Sequence, residues 1–397
     1  MRVTVGIDVA KEFHWASAID DRGAELLSCR VDNEPEAIQA LINELERHRL
    51  ERVVVEIGID VVGGIASLLA AMLSEAGFAL VHVPGLAVNR ARRGTTGGEH
   101  KSDPRDARVI ADQVRTRGDL RSIESGGQID IELRLLVARR RELVTDQTRR
   151  IGRLRDLLAS IHPGLERIVD PTQKASLVLL SRYVTPAEIR RAGTSRIVTH
   201  LLRAGRLPRP HVEQLADDAV AAARAQQLTL PGERLAAVLV RELAGEALAV
   251  RDRLAQLDRD LEETLARHPD AALIRSLPGM GATLTAEFIA EAGGIDRFPT
   301  PDRLAAAAGL APILKQSGKV RYLRRANGGN KALKRVLYQS AFCSLNHPAS
   351  RTFYTRKRRE GKRHHQAVIA LARRRVDVLH AILRTRQPYR IQHPRAA

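Results

Sequence analysis

The 397-residue sequence contains only two cysteines, Cys29 and Cys343, which lie far apart along the chain. This number and spacing exclude a disulfide framework and a cysteine-based zinc site, and they are typical of a reducing compartment. The longest apolar run, Val61 to Leu73, is too short to cross a bilayer, and the N-terminus has no secretory pattern. We therefore expect a cytoplasmic protein with no membrane segment, in which any metal ion is bound by oxygen.

Basic residues are in excess. The chain has 65 Lys and Arg against 46 Asp and Glu, a formal net charge of +19 and a pI near 10.9. Such a charge favours a polyanionic partner, first of all nucleic acid. An anionic membrane would also attract it, and an Arg-rich composition can reflect coding bias alone. The length predicts two or three domains, and 44% hydrophobic residues allow each of them a core.

The N-terminal third alternates short β-branched runs with helical periodicity. Val3 to Val31 reads as three strands joined by turns, and Gly126-Gly127 is the predicted end of the domain. The order predicts a mixed sheet flanked by helices, as in ribonuclease H-like folds. The elements predicted after the meander are a helix at 34–48, a strand at 52–56, a helix at 61–76, a strand at 79–83 and a helix at 103–117 capped by Ser102.

The rest of the chain is predicted to be mainly helical. Apolar residues at heptad spacing from Leu133 to Leu158 and from Leu243 to Leu265 indicate two long helices, which either pair within the chain or join two copies. A proline-broken segment, 163–232, separates them. After Pro269 a glycine-rich region leads into a basic helical tail. We predict three domains: an α/β domain at 1–126, a helical coiled-coil region at 127–269 and a mainly helical domain at 270–397.

Four carboxylates form the most informative pattern. Asp8 interrupts an apolar strand, where a buried, unpaired charge would be costly, and Glu56 ends the predicted second central strand. Asp103 and Asp106 are three residues apart and share one helix face. Each alone is explained by a helix cap or a salt bridge. Together they predict a site for Mg²⁺ or Mn²⁺ that acts on a phosphodiester.

The C-terminal region contains candidate phosphate contacts. Leu277-Pro278-Gly279-Met280-Gly281 resembles the turn of a helix-hairpin-helix, whose backbone N–H groups bind phosphate; a plain tight turn is the alternative. Ser317 lies on a glycine-flanked loop among cations, although a Ser-Gly pair by itself is a turn. The candidate nucleic-acid contacts are Gly279, Gly281, Lys315, Lys319, Arg321, Lys362 and Arg363.

Several motifs together resemble the DEDD-type transposases of the insertion-sequence-110 group, which are bridge-RNA-guided recombinases. They are Gly6-Ile7-Asp8-Val9-Ala10-Lys11, Lys101-Ser102-Asp103-Pro104-Arg105-Asp106-Ala107, Leu277-Pro278-Gly279-Met280-Gly281, Gly309-Leu310-Ala311-Pro312, Gln316-Ser317-Gly318-Lys319 and Gly361-Lys362. The resemblance implies a RuvC-like domain that holds Mg²⁺ through Asp8, Glu56, Asp103 and Asp106, a coiled coil, and a C-terminal transposase domain with Ser317 as the nucleophile.

The resemblance also implies partners. They are donor and target DNA, a guide RNA encoded beside the gene, and further copies of the chain in a dimer or tetramer, with the metal site and the serine drawn from different protomers. Pairing with the guide would then read the DNA sequence. Two other hypotheses remain: a Holliday-junction-resolving nuclease that uses metal-activated water, and a non-enzymatic nucleic-acid-binding protein with structural carboxylates.

Overall fold

The computed structural model describes residues 2–50, 54–94, 100–123, 127–318, 320–324 and 326–390. The chain divides into two compact units, Met1–Gly126 and Gly127–Ala397. The first is α/β and the second is mainly helical. Whether the second unit divides again near residue 269 stays a prediction. Among the described residues, no helix combines the length and the apolar character that a membrane span needs.

A six-stranded mixed sheet forms the first unit. Strands β1 (Arg2–Asp8), β2 (Phe13–Ile19) and β3 (Glu25–Asp32) make the predicted antiparallel meander. Strands β4 (Val54–Ile59) and β5 (Ala79–His82) add to it in parallel, and β6 (Arg121–Ser122) closes the order β3-β2-β1-β4-β5-β6. Because β1 and β4 are central and parallel, their carboxyl ends meet at one edge of the sheet.

Helices cover both faces of this sheet. On one face, α1 (Pro35–Leu50) and α2 (Ser67–Glu75) bury Val3, Val5 and Ile7 of the first strand. On the other face lies α4 (Asp103–Thr116), preceded in the chain by α3 (Gly85–Arg93). A side chain at Gly6 is excluded there, since a Cβ atom would lie 2.0 Å from the Ala107 carbonyl oxygen. The missing side chain lets α4 rest on the backbone of the central strand.

Two details of the first unit differ from the sequence-based predictions. The prediction that Glu56 ends its strand is wrong, because β4 continues through Gly58 and Ile59, and the chain leaves the sheet at Asp60. Glycine disfavours strands in general, but Gly58 lies beneath Val114 of α4, where a Cβ atom would collide at 2.4 Å. Ser102 precedes α4 but its side chain makes no capping hydrogen bond.

Two 34-residue helices organise the second unit. They are α5 (Gln128–Ile161) and α10 (Glu233–Ala266). Ion pairs between them, such as Arg140–Asp258 and Arg150–Glu246, show that they run antiparallel within one chain. Of the two arrangements that the heptads allowed, the described chain therefore contains the intramolecular one.

The proline-broken middle segment folds onto this pair as four helices. They are α6 (Pro163–Ile168), α7 (Lys174–Leu180), α8 (Pro186–Arg203) and α9 (Arg209–Ala225). Their apolar faces form a core with one end of α5 and α10. Proline occupies the first turn of α6, α8 and α9, where its missing N–H removes no helical hydrogen bond.

The other end of the long helices packs against the C-terminal helices. These share a second core and are α11 (Ala271–Arg275), α12 (Ala282–Ala292), α13 (Pro301–Ala307), α14 (Lys331–Cys343), α15 (Pro348–Arg359) and α16 (His364–Thr385). Between α13 and α14, the strands β7 (Ile313–Ser317) and β8 (Val320–Arg324) form a separate hairpin.

Candidate active site

Asp8 and Asp60 leave the central sheet side by side. The parallel register pairs Ile7 with Ile59, so the next residue of each strand is an aspartate at the carboxyl edge. The Asp60 carboxylate also accepts a hydrogen bond from the Val9 N–H, at 3.2 Å, which holds it across the end of β1. Asp60 was not among the predicted site residues. The signal for it was present, since Asp60 follows the apolar run that ends β4.

The first turn of α4 brings two more carboxylates to this edge. Asp103 and Asp106 share its inner face, and Pro104 occupies the first turn, as predicted. Asp106 is 5% exposed and pairs with the equally buried Arg92 of α3, whose Nη1 lies 3.1 Å from both carboxylate oxygens. Arg92 is a second residue that sequence reasoning missed.

The electrostatics of Asp8 confirm that these groups are neighbours. Burial and then the charges of Asp60, Asp106 and Asp103, in that order, together raise its pKa from an ordinary 3.8 to about 7, while Lys101 opposes them. Burial is also the largest cause of the raised pKa of Asp60. Four carboxylates therefore share an edge at which negative charge is only partly balanced.

Glu56 lies away from this group. It is four residues before Asp60 on the same strand, about 13 Å along the sheet. It pairs with Arg2 at the start of β1, and Arg2 also reaches the Val114 carbonyl near the far end of α4. The structure thus brings Asp8, Asp103 and Asp106 together with Asp60, and it does not bring Glu56 to them.

The donor chemistry of the cluster fits a hard divalent cation. All four side chains offer carboxylate oxygens, as Mg²⁺ and Mn²⁺ prefer, and a cation would offset both the burial and the mutual repulsion that raise the pKa of Asp8. In the part of the chain that the structure describes, no three possible ligands converge at metal-binding distance. Asp106 is engaged by Arg92 instead. The cluster therefore fits a hard divalent cation in its charge and in the type of its ligand atoms.

Ser317 lies at the tip of the β7–β8 hairpin in the second unit. It ends β7 and pairs with Val320, and Gly318 turns the chain with φ +54°. Every described residue of the two strands is exposed. Lys315 shares the strand face of Ser317, whereas Arg321 pairs with Gln316 on the opposite face. Lys319, predicted to contact nucleic acid, lies outside the described residues.

The base of the hairpin is fixed by two interlocked glycine turns. Gly309 and Gly329 both have positive φ, and their backbones are so close that a Cβ atom on Gly329 would lie 2.7 Å from the Gly309 nitrogen. The Asn330 N–H donates to the Ala307 carbonyl at 2.7 Å, and Lys334 donates to the Gly309 carbonyl at 2.9 Å. The serine therefore projects from an anchored base.

Comparisons with known proteins agree along the whole chain. A transposase profile of the DEDD type matches residues 5–163, and the profile described as transposase IS116/IS110/IS902 family matches residues 271–355. A 44.8 kDa protein of insertion element IS116 from Streptomyces clavuligerus is 42% identical over 97% of this chain and 96% of its own length. The chain belongs to the IS116/IS110/IS902 transposase family.

Two further relatives match the transposase at full length. A 42 kDa protein of insertion element IS900 from Mycobacterium paratuberculosis is 42% identical over 99% of this chain and 97% of its own. A 43.6 kDa protein of insertion element IS110 from Streptomyces coelicolor is 36% identical over 99% and 96%. The chain is thus an enzyme that acts on DNA.

The predicted hairpin turn of the transposase joins α11 to α12. Gly279, with φ +85°, lies against α14, where a Cβ atom would be 2.5 Å from the Ser340 carbonyl oxygen. The buried Arg375 of α16 fixes the turn by donating to the Pro278 carbonyl and the Ser340 hydroxyl, and burial lowers its pKa to about 10. Gly281 is exposed at the start of α12. Gly279 therefore serves packing, and Gly281 is accessible.

The basic tail of the transposase comprises α15 and α16, and two of the predicted nucleic-acid contacts lie in the connection between these helices. Lys362 and Arg363 are both exposed there. Arg358 donates to the Lys362 carbonyl at 2.7 Å, and the Arg363 N–H donates to Gln366 at the start of α16. Their side chains remain available to a phosphate backbone, as the sequence-based prediction requires.

Proposed function

We propose that this transposase cuts and rejoins DNA at a divalent-metal site made by Asp8, Asp60, Asp103 and Asp106 on a ribonuclease H-like, RuvC-like domain. The observation that carries the proposal is the crowding of these four carboxylates at the carboxyl edge of β1 and β4. Mg²⁺ or Mn²⁺ bound there supplies Lewis acidity to a phosphodiester. Asp60 takes the place that the sequence assigned to Glu56.

Each residue has a separate task in this proposal. Asp8 ends β1 and Asp60 directly follows β4, while Asp103 and Asp106 lie in the first turn of α4, which packs closely on the sheet. The backbone therefore holds all four residues in place before a metal binds. Arg92 holds the Asp106 side chain in place in the metal-free protein. Binding of a cation requires the Asp106 side chain to exchange this partner for the metal.

We also propose Ser317 as the nucleophile. Its Oγ loses a proton and forms a P–O bond to the scissile phosphate, and the P–O bond to the deoxyribose breaks so that the strand end leaves as a hydroxyl. Attack by a second strand's hydroxyl reverses these steps and regenerates the serine. Lys315, on the same hairpin face as Ser317, stabilises the phosphate charge.

The remaining parts follow the resemblance to the insertion-sequence-110 group. We propose that a guide RNA from the DNA beside the gene pairs with donor and target, and that two or four copies assemble so that serine and carboxylates come from different protomers. The exposed hairpin supports this assembly, because a two-stranded hairpin is marginal in water unless it packs against something.

One matched pair of variants tests the metal set. On a supercoiled plasmid carrying the gene's flanking DNA, with Mg²⁺ and RNA from the same flank, Asp60→Asn should lower strand cleavage at least about 100-fold. Glu56→Gln should change it by less than about threefold, since it removes only a half-buried ion pair at the far end of the strand. Loss of cleavage in folded Glu56→Gln, with retention in Asp60→Asn, would refute the assignment.

The serine needs its own test, because a resolving nuclease would use the same carboxylates with water. Wild-type protein should give a protein–DNA adduct on a denaturing gel, and Ser317→Ala should give neither adduct nor joined product. If Ser317→Ala cleaves at the wild-type rate without an adduct, the nuclease is the correct function.

A further inference from the structure

The middle helical segment contains a concentration of positive charge in which most cations have no acidic partner, Arg209 with Glu213 being an exception. Between residues 174 and 209 the sequence has eight Lys and Arg but one acidic residue, Glu188. Glu188 is itself occupied: it caps α8 and pairs with Arg241 of α10. The long helices α5 and α10 differ, because their arginines repeatedly face acids, as in Arg140–Asp258 and Arg150–Glu246.

Three of these cations lie around the second half of α8. Gly193, with φ 67° and ψ 166°, breaks the helix, and the turn that follows buries Ile197 and Leu201. Arg196 and Arg203 are seven residues apart and therefore on one side of the helix, beside that buried face. Burial lowers the pKa of His200, and the charges of Arg182 and Arg203 lower it further, which places both guanidinium groups near this ring.

Two more cations complete the group. The chain after α8 returns towards the start of α7, where a Cβ atom on Gly205 would lie 3.2 Å from Lys174 Nζ. Arg206 follows at once and is exposed. We define the α8 patch as Lys174, Arg182, Arg196, Arg203 and Arg206. Within the described ranges of the chain, none of the five has an acidic side chain within ion-pair distance.

We propose that the α8 patch binds the sugar-phosphate backbone of duplex DNA. Five exposed or half-exposed cations without acids attract a polyanion, and backbone contacts of this kind position DNA without reading its sequence. Arg196 and Arg203 are separated by about 10.5 Å along the helix, so each can contact a different phosphate of the same DNA backbone. The inference rests on the proposed function only in taking DNA as the polyanion.

The surroundings of the patch favour a duplex over unpaired bases. Recognition of single-stranded RNA depends on free aromatic faces on which bases stack. The aromatic residue here, Tyr183, is packed edge-on against His200 with ring centroids 5.5 Å apart, and Arg182 lies over its ring. No stacking platform is left among the described residues of the patch, so phosphate is the group it can contact.

Salt dependence of binding distinguishes a phosphate contact from a general loss of charge. The full-length protein is titrated into a fluorescent random-sequence DNA duplex at several salt concentrations, and the slope of log affinity against log salt is measured. The test variant is Arg196→Gln with Arg203→Gln. The control is Arg139→Gln with Arg149→Gln, which removes the same charge from α5, where both arginines have acidic partners three residues away, Glu142 and Asp146.

We expect the test variant to lower the slope by about 1.8 and the affinity by roughly 20-fold at about 0.2 M salt, since each lost contact removes about 0.9. The control should keep the wild-type slope. Unchanged circular dichroism and melting would show that the exposed substitutions leave the fold intact. A test variant with the slope and affinity of the wild type would overturn the proposal.

Two further measurements distinguish DNA from RNA as the partner, and the α8 patch from the proposed metal site. A duplex RNA of the same sequence is titrated in parallel, and selective loss of RNA binding with unchanged DNA binding would overturn the choice of DNA. Strand cleavage by Asp8→Asn is measured as well and should be lost. If Asp8→Asn cleaves normally while the α8 variant loses DNA, the proposed metal site fails and the α8 patch stands.

Discussion

Asp8→Asn should make the metal-free protein more stable at neutral pH, although it removes a site residue. Folding raises the pKa of Asp8 from 3.8 to about 7, chiefly by burial and then through Asp60, Asp106 and Asp103. Between these values the folded state binds more protons than the unfolded state, so the free energy of unfolding falls as pH rises. The loss is complete above about pH 7, and it is absent at about pH 4.

The size of this change in the free energy of unfolding follows from the shift in the pKa of Asp8. A shift from 3.8 to about 7 corresponds to roughly 4 kcal/mol at full strength. Because Asp8 is only partly buried, water lessens the cost of burying its charge and counter-ions screen the repulsion, and we expect about 2 kcal/mol. An asparagine keeps the shape and removes the charge, so the variant should gain this amount over the wild type at about pH 8 and nothing at about pH 4.

The single tryptophan of the chain gives a local readout. Trp15 lies opposite Asp8 in the β1–β2 register, so its fluorescence during urea unfolding reports the first unit. Unfolding is measured in EDTA across this pH range, with Glu12→Gln as a control at an exposed carboxylate of the same unit. The reasoning is refuted if Asp8→Asn is no more stable than the wild type at about pH 8, or if its gain is independent of pH.

Three other predictions concern packing around the sites. Arg92→Gln removes the cation paired with the buried Asp106 and should lower the stability of the metal-free protein by about 3 kcal/mol. Mg²⁺ should raise the melting temperature of this variant by more than it raises that of the wild type. Equal shifts with Mg²⁺ would contradict the exchange of Arg92 for the metal at Asp106. Gly6→Ala should cost about 3 kcal/mol by urea unfolding, because its Cβ atom meets the Ala107 carbonyl, whereas Gly85→Ala, which meets nothing, should be neutral. Gly279→Ala should cost about 2 to 4 kcal/mol through positive φ and the Ser340 carbonyl, while Gly281→Ala should leave melting unchanged; equal effects would mean that the turn does not pack as described.

Local patterns were enough to predict much of the first unit. Alternation and turn residues predicted the meander, and the Asp103-Pro104 start of α4 followed from its capping pattern. The strand end was predicted wrongly because the β-branched run stops at Glu56, whereas β4 continues through Gly58, where only a glycine fits beneath Val114 of α4. That contact is between residues distant in sequence, so no local pattern contains it. The choice of Glu56 over Asp60 follows from the same error.

The pairing of the long helices and the roles of individual arginines depend on contacts between distant residues, which neither heptad spacing nor a count of charges predicts. The heptads of α5 and α10 left open whether the helices meet within one chain, and their cross-helix ion pairs decide it. Arg92 had no signal in the sequence beyond being one of many arginines. The middle segment suggested no chemistry, because the contrast between paired and unopposed arginines is visible only once their neighbours are known.

The close packing of α4 against Gly6 also predicts which copies of the gene encode an active enzyme. Any side chain at position 6 pushes α4 away from the first strand, and with it both aspartates of its first turn. Positions 5 and 7 point into an apolar core on the opposite face, where exchanges among valine, isoleucine and leucine are tolerated better. Among duplicated copies of such an element, one that has lost this single glycine should therefore be catalytically dead while all four carboxylates still appear in its sequence.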